Sequence, residues 1–206
     1  MALSTVSLIL TGPRSAIAVD GLDGSGKSQF ATTLVEALRS AGRPATLLHV
    51  DDFRRALDFD GLEAAEEASL YYDHYFDFPD AGATLATALA GPPDGSIAVF
   101  EGVMVLRAGL PAGTPLVVLN VSPEEARRRI VARDQAKGRT PAEIARRIDH
   151  RYFPAHLRYC AAFDPQARAD LMIDNEDWTH PRSVWRRHES FAPGVTAVLD
   201  GLLGVG

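Results

Sequence analysis

The sequence predicts an α/β fold in which a five-stranded, mostly parallel sheet is covered by helices on both faces. Three observations predict it. Short apolar runs alternate with segments of helical period along nearly the whole chain, as in successive βαβ units. Several of those runs end in acidic residues, where open parallel sheets gather their ligands. Between the first run and the first helical segment stands a glycine-rich loop ending in Lys27-Ser28.

Met1 to Leu10 is apolar but lacks a basic leader and a cleavage site, so it reads as an edge strand rather than a signal peptide. Ala16 to Val19 is the first internal strand. Gly21-Leu22-Asp23-Gly24-Ser25-Gly26-Lys27-Ser28 then spells G-x-x-x-x-G-K-S, the P-loop, in its confirming strand–loop–helix context. Its glycines let successive N–H groups turn toward a polyphosphate, and the following helix adds the positive end of its dipole. Lys27 is the cation for the β and γ phosphates of ATP, and the Ser28 hydroxyl suits Mg²⁺. Phe30, Leu34, Val35, Leu38 and Ala41 give that helix its buried stripe, and Gly42 ends it.

Ala45 to Val50 is the second strand, carrying Asp51 and Asp52 at its end. Leu62 to Tyr75 and Ala83 to Ala90 read as helices, Ser96 to Phe100 as a strand ending in Glu101-Gly102, and Leu116 to Val121 as another. Pro123 to Gln135 and Pro141 to Arg151 form two basic helices about Lys137-Gly138-Arg139, and Asp170 to Ile173 is the fifth strand, ending in Asp174-Asn175. The stretch after Trp178 reads as a loop followed by a helix. The expectation is one domain over residues 1–206, of the three-layer P-loop NTPase type, with a basic helical lid at about 124–151.

The 206 residues, 46% hydrophobic, suffice for one good core, and no apolar run reaches the roughly 18 residues a membrane helix needs. Cys160 is the only cysteine, which fits a cytoplasmic protein with a core thiol. A net charge of −6 argues against a nucleic-acid binder; homo-oligomerisation is left open. The charge is unevenly spread. No Lys or Arg occurs from Ala56 to Leu106, whereas Arg127 to Arg151 holds nine, including Arg133.

Glu101 at a strand end can hold Mg²⁺ or position it on the phosphates. Asp51 or Asp52 can accept the proton of an attacking hydroxyl. The Lys137-Gly138-Arg139 turn suits a closing lid that neutralises a transferring phosphoryl group. The run Tyr71 to Phe78 offers aromatic faces and carboxylates without a cation nearby in sequence, which points to an uncharged hydroxylated acceptor. A nucleoside monophosphate kinase would need acceptor-side arginines, and none occurs from Ala56 to Leu106. A regulatory P-loop NTPase working through a protein partner is the remaining alternative; the guanine-reading Asn-Lys-x-Asp motif is absent.

The P-loop, Val50-Asp51-Asp52-Phe53, Tyr72 with Phe76-Asp77, Phe100-Glu101-Gly102-Val103 with Arg107, Arg133-Asp134, Arg151-Tyr152-Phe153-Pro154 with Tyr159, Asp164-Pro165, Ala169-Asp170 and Asp174-Asn175 follow one another in an order that resembles the uridine kinase-like branch of P-loop kinases. The resemblance runs from about Ala16 to Asp177. It implies transfer of the ATP γ-phosphoryl group to a hydroxyl of a nucleoside, uridine- or cytidine-like, or of a related small molecule, with Mg²⁺. By position it makes Asp51 the catalytic base, Lys27 and Arg133 the phosphate cations, Asp77 a ligand of ribose hydroxyls and Glu101 the strand-end acid, with Tyr72 and Arg107 beside the acceptor. Two departures stand out. The family's base-recognising segment is missing, since Ala90 runs through Gly-Pro-Pro-Asp-Gly directly into Ser96, and Arg54 replaces the tyrosine usual after the Asp-x-Phe stretch.

Overall fold

The computed structural model describes residues 13–204, so the expected edge strand at Met1 to Leu10 lies outside the described residues. Strands β1 (Ser15–Gly21), β2 (Ala45–His49), β3 (Ile97–Glu101), β4 (Leu116–Asn120), β5 (Leu171–Asp174) and β6 (Arg182–Arg186) form one sheet in the order β2-β3-β1-β4-β5-β6. The first five run parallel and β6 is antiparallel to β5. The sheet thus has the five predicted strands plus a sixth, polar edge strand that the sequence reading left as loop.

Strand periodicity divides the core into two layers. Ala16 and Ala18 of β1, Ala98 and Phe100 of β3, and Leu116 and Val118 of β4 face one cluster with Tyr71, Phe76, Phe78, Leu85 and Tyr159. Their neighbours Ile17, Val19, Ile97, Val99, Val117 and Leu119 face the other, with Phe30, Leu34, Leu38, Val195 and Leu199. Both faces of the central strands are therefore apolar, which is why these runs read as continuous hydrophobic segments rather than alternating ones.

The first layer holds helices α2 (Ala64–His74), α3 (Phe78–Leu89) and α6 (Phe153–Phe163); the second holds α1 (Lys27–Ser40) and α8 (Pro193–Leu203). Helix α3 starts five residues earlier than expected because Asp77 caps it, accepting the Asp80 N–H at 3.2 Å with proline just inside the start. Helices α4 (Pro123–Ala136) and α5 (Pro141–Arg147) make a basic hairpin. Ser122 and Thr140 cap them, and the joint between them packs Ile130, Ile144 and Ile148 together. A single π turn, Ile148–Tyr152, leads into α6, and the short α7 (Pro165–Arg168) precedes β5. Among the described residues no helix is long and apolar enough to cross a membrane.

One buried charge pins this hairpin to the body of the protein. Glu67 of α2 has a fully buried side chain and takes Arg146 Nε, Arg151 Nε at 2.6 Å and His150 Nδ1 at 3.3 Å. Arg146 also donates to Phe59 O at 2.7 Å, and the Arg151 guanidinium lies 3.8 Å from the centre of the Phe59 ring. Burial opposes the charge on Glu67, but Arg151, Arg146 and His150 overcome it and hold the carboxyl below the ordinary glutamate range. A carboxyl depressed in the folded state stabilises above its unfolded pKa, and that contribution is lost as pH falls through the folded value. Glu67→Gln should therefore cost about 3 kcal/mol at pH 7, the low end of the range for breaking a buried pair because Arg146 and His150 are partly exposed. The difference in thermal midpoint from the unaltered protein should shrink as pH is lowered below about 4.5. A gap that is constant with pH would show that the charge is not what binds the hairpin.

Candidate active site

The P-loop turns between β1 and α1. Gly24 and Gly26 hold φ values of 81° and 88°, in the left-handed region that costs glycine least. A Cβ on Gly24 would stand 2.6 Å from Ala126 O, and one on Gly26 would stand 2.6 Å from Asn175 Nδ2. Gly26 sits at the N-cap of α1, and no side chain caps that helix and no acid occupies its first turn. The orphan N–H groups and the positive end of the dipole are thus left for an anion. Outside the loop, Asn175 Nδ2 donates to Ser25 O at 2.7 Å, and Arg129 Nη2 donates to Asn175 O at 2.7 Å and to Glu176 O at 2.9 Å. Arg129 Nη1 reaches Gly24 O and Ser25 O at 3.5 Å. These contacts occupy outward carbonyls of the loop.

The cations and oxygens expected here converge. Lys27 is buried, and its ammonium donates to Leu22 O at 3.4 Å. Ser28 Oγ donates to Glu101 Oε2 at 3.1 Å, and His49 Nδ1 meets Glu101 Oε1 at 2.5 Å. The sheet register makes this possible by placing Val19 and His49 on either side of Glu101 at the carboxyl edge. Ser28 and Glu101 are hard oxygen donors beside the P-loop, the donor chemistry a magnesium ion takes.

Below the loop, Asp20 at the end of β1 is buried. It accepts the Gly21 N–H at 2.8 Å and the Tyr159 hydroxyl. Burial raises its pKa to about 6, against the pull of Tyr159, Gly21 and Lys27. Asp23 is likewise raised by burial, with Lys27 and Arg133 opposing. Nearby, Cys160 Sγ contacts His156 Nε2 at 3.4 Å, and burial lowers the His156 pKa to about 4, so the imidazole is neutral at physiological pH.

Three hollows meet around this loop. The largest, about 420 Å³, lies between α1, α4 and the segment after β5, with Phe30, Thr33, Ala132, Trp178, Pro181 and Leu202 among its walls. The second is the P-loop mouth, lined by Gly24, Gly26, Lys27, Ser28, Arg129 and Arg133, and it shares Gly26, Gln29 and Arg129 with the first. The third holds Asp23, Asp51, Tyr71, Tyr75, Asp134 and Tyr152 with Arg54, Arg133, Lys137, Arg139 and Arg147. Arg133 is common to the second and third. Burial opposes its charge, while a hydrogen bond to Asp134 at 2.7 Å and the nearby Asp23 hold the guanidinium protonated. Of the three consecutive arginines, Arg129 lies one turn before Arg133 and shares its face. Arg127 pairs with Asp149, while Arg128 shares Glu125 with Arg129 and lines the first hollow.

Asp51 stands in a 3₁₀ turn, Val50–Phe53, and lines the third hollow with its side chain 56% exposed; Asp52 does not line it. The other expected acceptor residues sit elsewhere. Asp77 is engaged as the α3 cap and as an ion pair with Arg55, outside the hollow. Tyr72 is buried, with the Arg107 guanidinium 4.1 Å and the Arg158 guanidinium 4.0 Å from its ring centre. Arg107 also lies 4.6 Å from the Phe78 ring centre and donates to Tyr72 O, so it packs against aromatic faces rather than facing the hollow. The cation-free stretch from Ala56 to Leu106 does not produce a cation-free hollow: Arg54 enters from just before it, and Arg139 and Arg147 from the hairpin. The sequence reading gives Arg129, Arg54 and Arg147 no individual role in the site. The four-residue spacing of Arg129 and Arg133 was a usable signal for the first; nothing local marked the other two.

No family profile matches the sequence, and no curated protein matches it. Solved structures do. A possible uridine kinase from Bacillus stearothermophilus superposes with a TM-score of 0.54 at 21% identity, over 83% of this chain and 94% of that one. A provisionally named fructose transport system kinase from Silicibacter sp. TM1040 does so with a TM-score of 0.54 at 25% identity, over 78% and 93%. Taken with the P-loop at the carboxyl edge of a mostly parallel sheet, these likenesses show that the chain shares the α/β fold of those two structures.

Proposed function

We propose that the protein is an ATP-dependent phosphotransferase that moves the γ-phosphoryl group to a hydroxyl of a nucleoside or related small molecule. The observation that carries this reading is Arg133, which lines both the P-loop mouth and the hollow that holds Asp51. One cation thereby spans the place for the phosphates and the place for the acceptor, as in-line transfer requires.

ATP supplies the phosphoryl group; Ser28 and Glu101 would hold Mg²⁺, which would neutralise charge on the phosphate oxygens. The hollow walled by Phe30, Trp178 and Leu202 suits the nucleoside end, being apolar and contiguous with the loop through Gly26 and Arg129. Asp51 accepts the proton of the acceptor hydroxyl as its oxygen bonds to phosphorus and the bond from phosphorus to the bridging oxygen of ADP breaks. Lys27 and Arg133 hold the charge that develops between the two. The basic hairpin acts as the lid, with Arg133 on one helix and Arg139 just beyond the turn.

Lys27→Ala should lower ADP release in a coupled assay on the order of 10²-fold or more, with the thermal midpoint little changed. Wild-type turnover in that variant would remove the P-loop from the chemistry. Asp51→Asn should lower kcat by about 10² to 10⁴ with ADP affinity, measured by calorimetry, unchanged. Since Asp52 does not line the hollow, Asp52→Asn should retain most activity; a greater loss there than at Asp51 would reassign the base.

A further inference from the structure

The P-loop mouth carries its own cations for a nucleotide: Lys27, Arg129 and Arg133. The adjoining hollow, about 110 Å³, has four more that do not line the mouth, namely Arg54, Lys137, Arg139 and Arg147. Its carboxylates do not balance them. Asp134 is buried and already engaged by Arg133 at 2.7 Å and Arg139 at 3.4 Å. Asp51 lies 3.6 Å from Arg54. Asp23, the remaining carboxylate, makes no ion pair within 4 Å among the described residues, and burial raises its pKa against Lys27 and Arg133. Among the described residues Lys137 and Arg147 pair with no carboxylate. Burial works against the charge on Arg147, but Tyr152 beside it keeps the guanidinium firmly protonated.

Arg54 and Arg147 reach this hollow from separate elements. Arg54 follows the 3₁₀ turn that bears Asp51, its backbone is bridged to Phe76, and its Nε is fixed on Asp51 O at 2.7 Å. Arg147 ends α5, and Tyr71, Tyr75 and Tyr152 wall the same space. Burial raises the pKa of both Tyr71 and Tyr152, so their hydroxyls stay protonated and able to donate. Planar guanidiniums and phenol donors around one small space form a receptor for a tetrahedral or planar oxyanion. Arg54 is also the residue at which the chain departs from the family pattern.

Resting on the kinase reading above, we propose that the acceptor is not a plain nucleoside but a related small molecule with an anionic group of its own, a phosphate ester or a carboxylate, seated on Arg54 and Arg147 while its hydroxyl faces Asp51.

Calorimetry on the full chain tests this in two stages. Mg·ADP is titrated first, and its failure to bind would sink the kinase reading itself. Inorganic phosphate and acetate are then titrated separately into protein saturated with Mg·ADP, at constant ionic strength. Saturable binding of one of them is expected, weakened at least about tenfold by Arg54→Leu and by Arg147→Leu, with Mg·ADP affinity unchanged and Arg54→Lys partly restoring it. Absence of binding, or binding that survives both substitutions, overturns the inference. Substitutions that weaken Mg·ADP instead would assign these arginines to the nucleotide and overturn it as well. Turnover with glycerol, glycerol 3-phosphate and glycerate then distinguishes the sources: preference for one charged member is expected, and preference for the neutral one contradicts the proposal. Thermal melting of each variant shows that the chain remains folded.

Discussion

A loop that turns its N–H groups inward to grip an anion must turn carbonyls outward, and those carbonyls need donors. In this protein Asn175 and Arg129 supply them, at Ser25 O and within reach of Gly24 O. That requirement ties three separate parts of the chain together: the loop after β1, the first basic helix and the end of β5. Arg129 also bonds the backbone at Asn175 and Glu176, so its guanidinium links the loop to the segment after β5. The rest of the site depends on it. Arg133, one turn further along the same helix, lines the P-loop mouth beside it.

The second constraint is electrostatic and sits on the other side of the hairpin. Glu67 gathers Arg146, His150 and Arg151 around one buried carboxylate and holds the hairpin's return leg against α2. Between the two attachments lie Arg133, Lys137, Arg139 and Arg147, the basic wall of the acceptor hollow. Local capping makes the same hairpin regular, with Ser122 and Thr140 starting its helices and Gly138, at φ 81°, turning between them. Sequence, packing and charge therefore act on the same segment and bring cations to both the P-loop mouth and the hollow that holds Asp51.

Much of this was legible from the chain alone. The three central strands showed because both their faces are buried, and the P-loop because its chemistry leaves little latitude in residue type or spacing. Ser28 and Glu101 were each read as magnesium-side oxygens, one from the P-loop and one from a strand end, and the fold brings them within hydrogen-bond distance. The sixth strand was hidden because Arg182–Arg186 is a polar, largely exposed edge segment without the apolar run of the others. Asp77 shows how a local demand can claim a residue singled out for the acceptor: placed before Phe78-Pro79, it caps a helix and pairs with Arg55. The acceptor hollow was the least legible part. Its cations come from segments outside the cation-free stretch, so that stretch gave no sign of a space that the fold lines with five basic residues.

In the proposed reaction a nucleotide lies along one path from the Trp178 hollow, over the P-loop, to Arg133, with its γ-phosphate facing Asp51. A crystal structure of the complex with a non-hydrolysable ATP analogue and Mg²⁺ tests it most directly. The base should lie among Phe30, Trp178 and Leu202, the β and γ phosphates on the N–H groups from Gly24 to Ser28, and Arg133 against the γ-phosphate on the Asp51 side. A nucleotide whose γ-phosphate points away from the Asp51 hollow, or whose phosphates do not engage the loop, would contradict it.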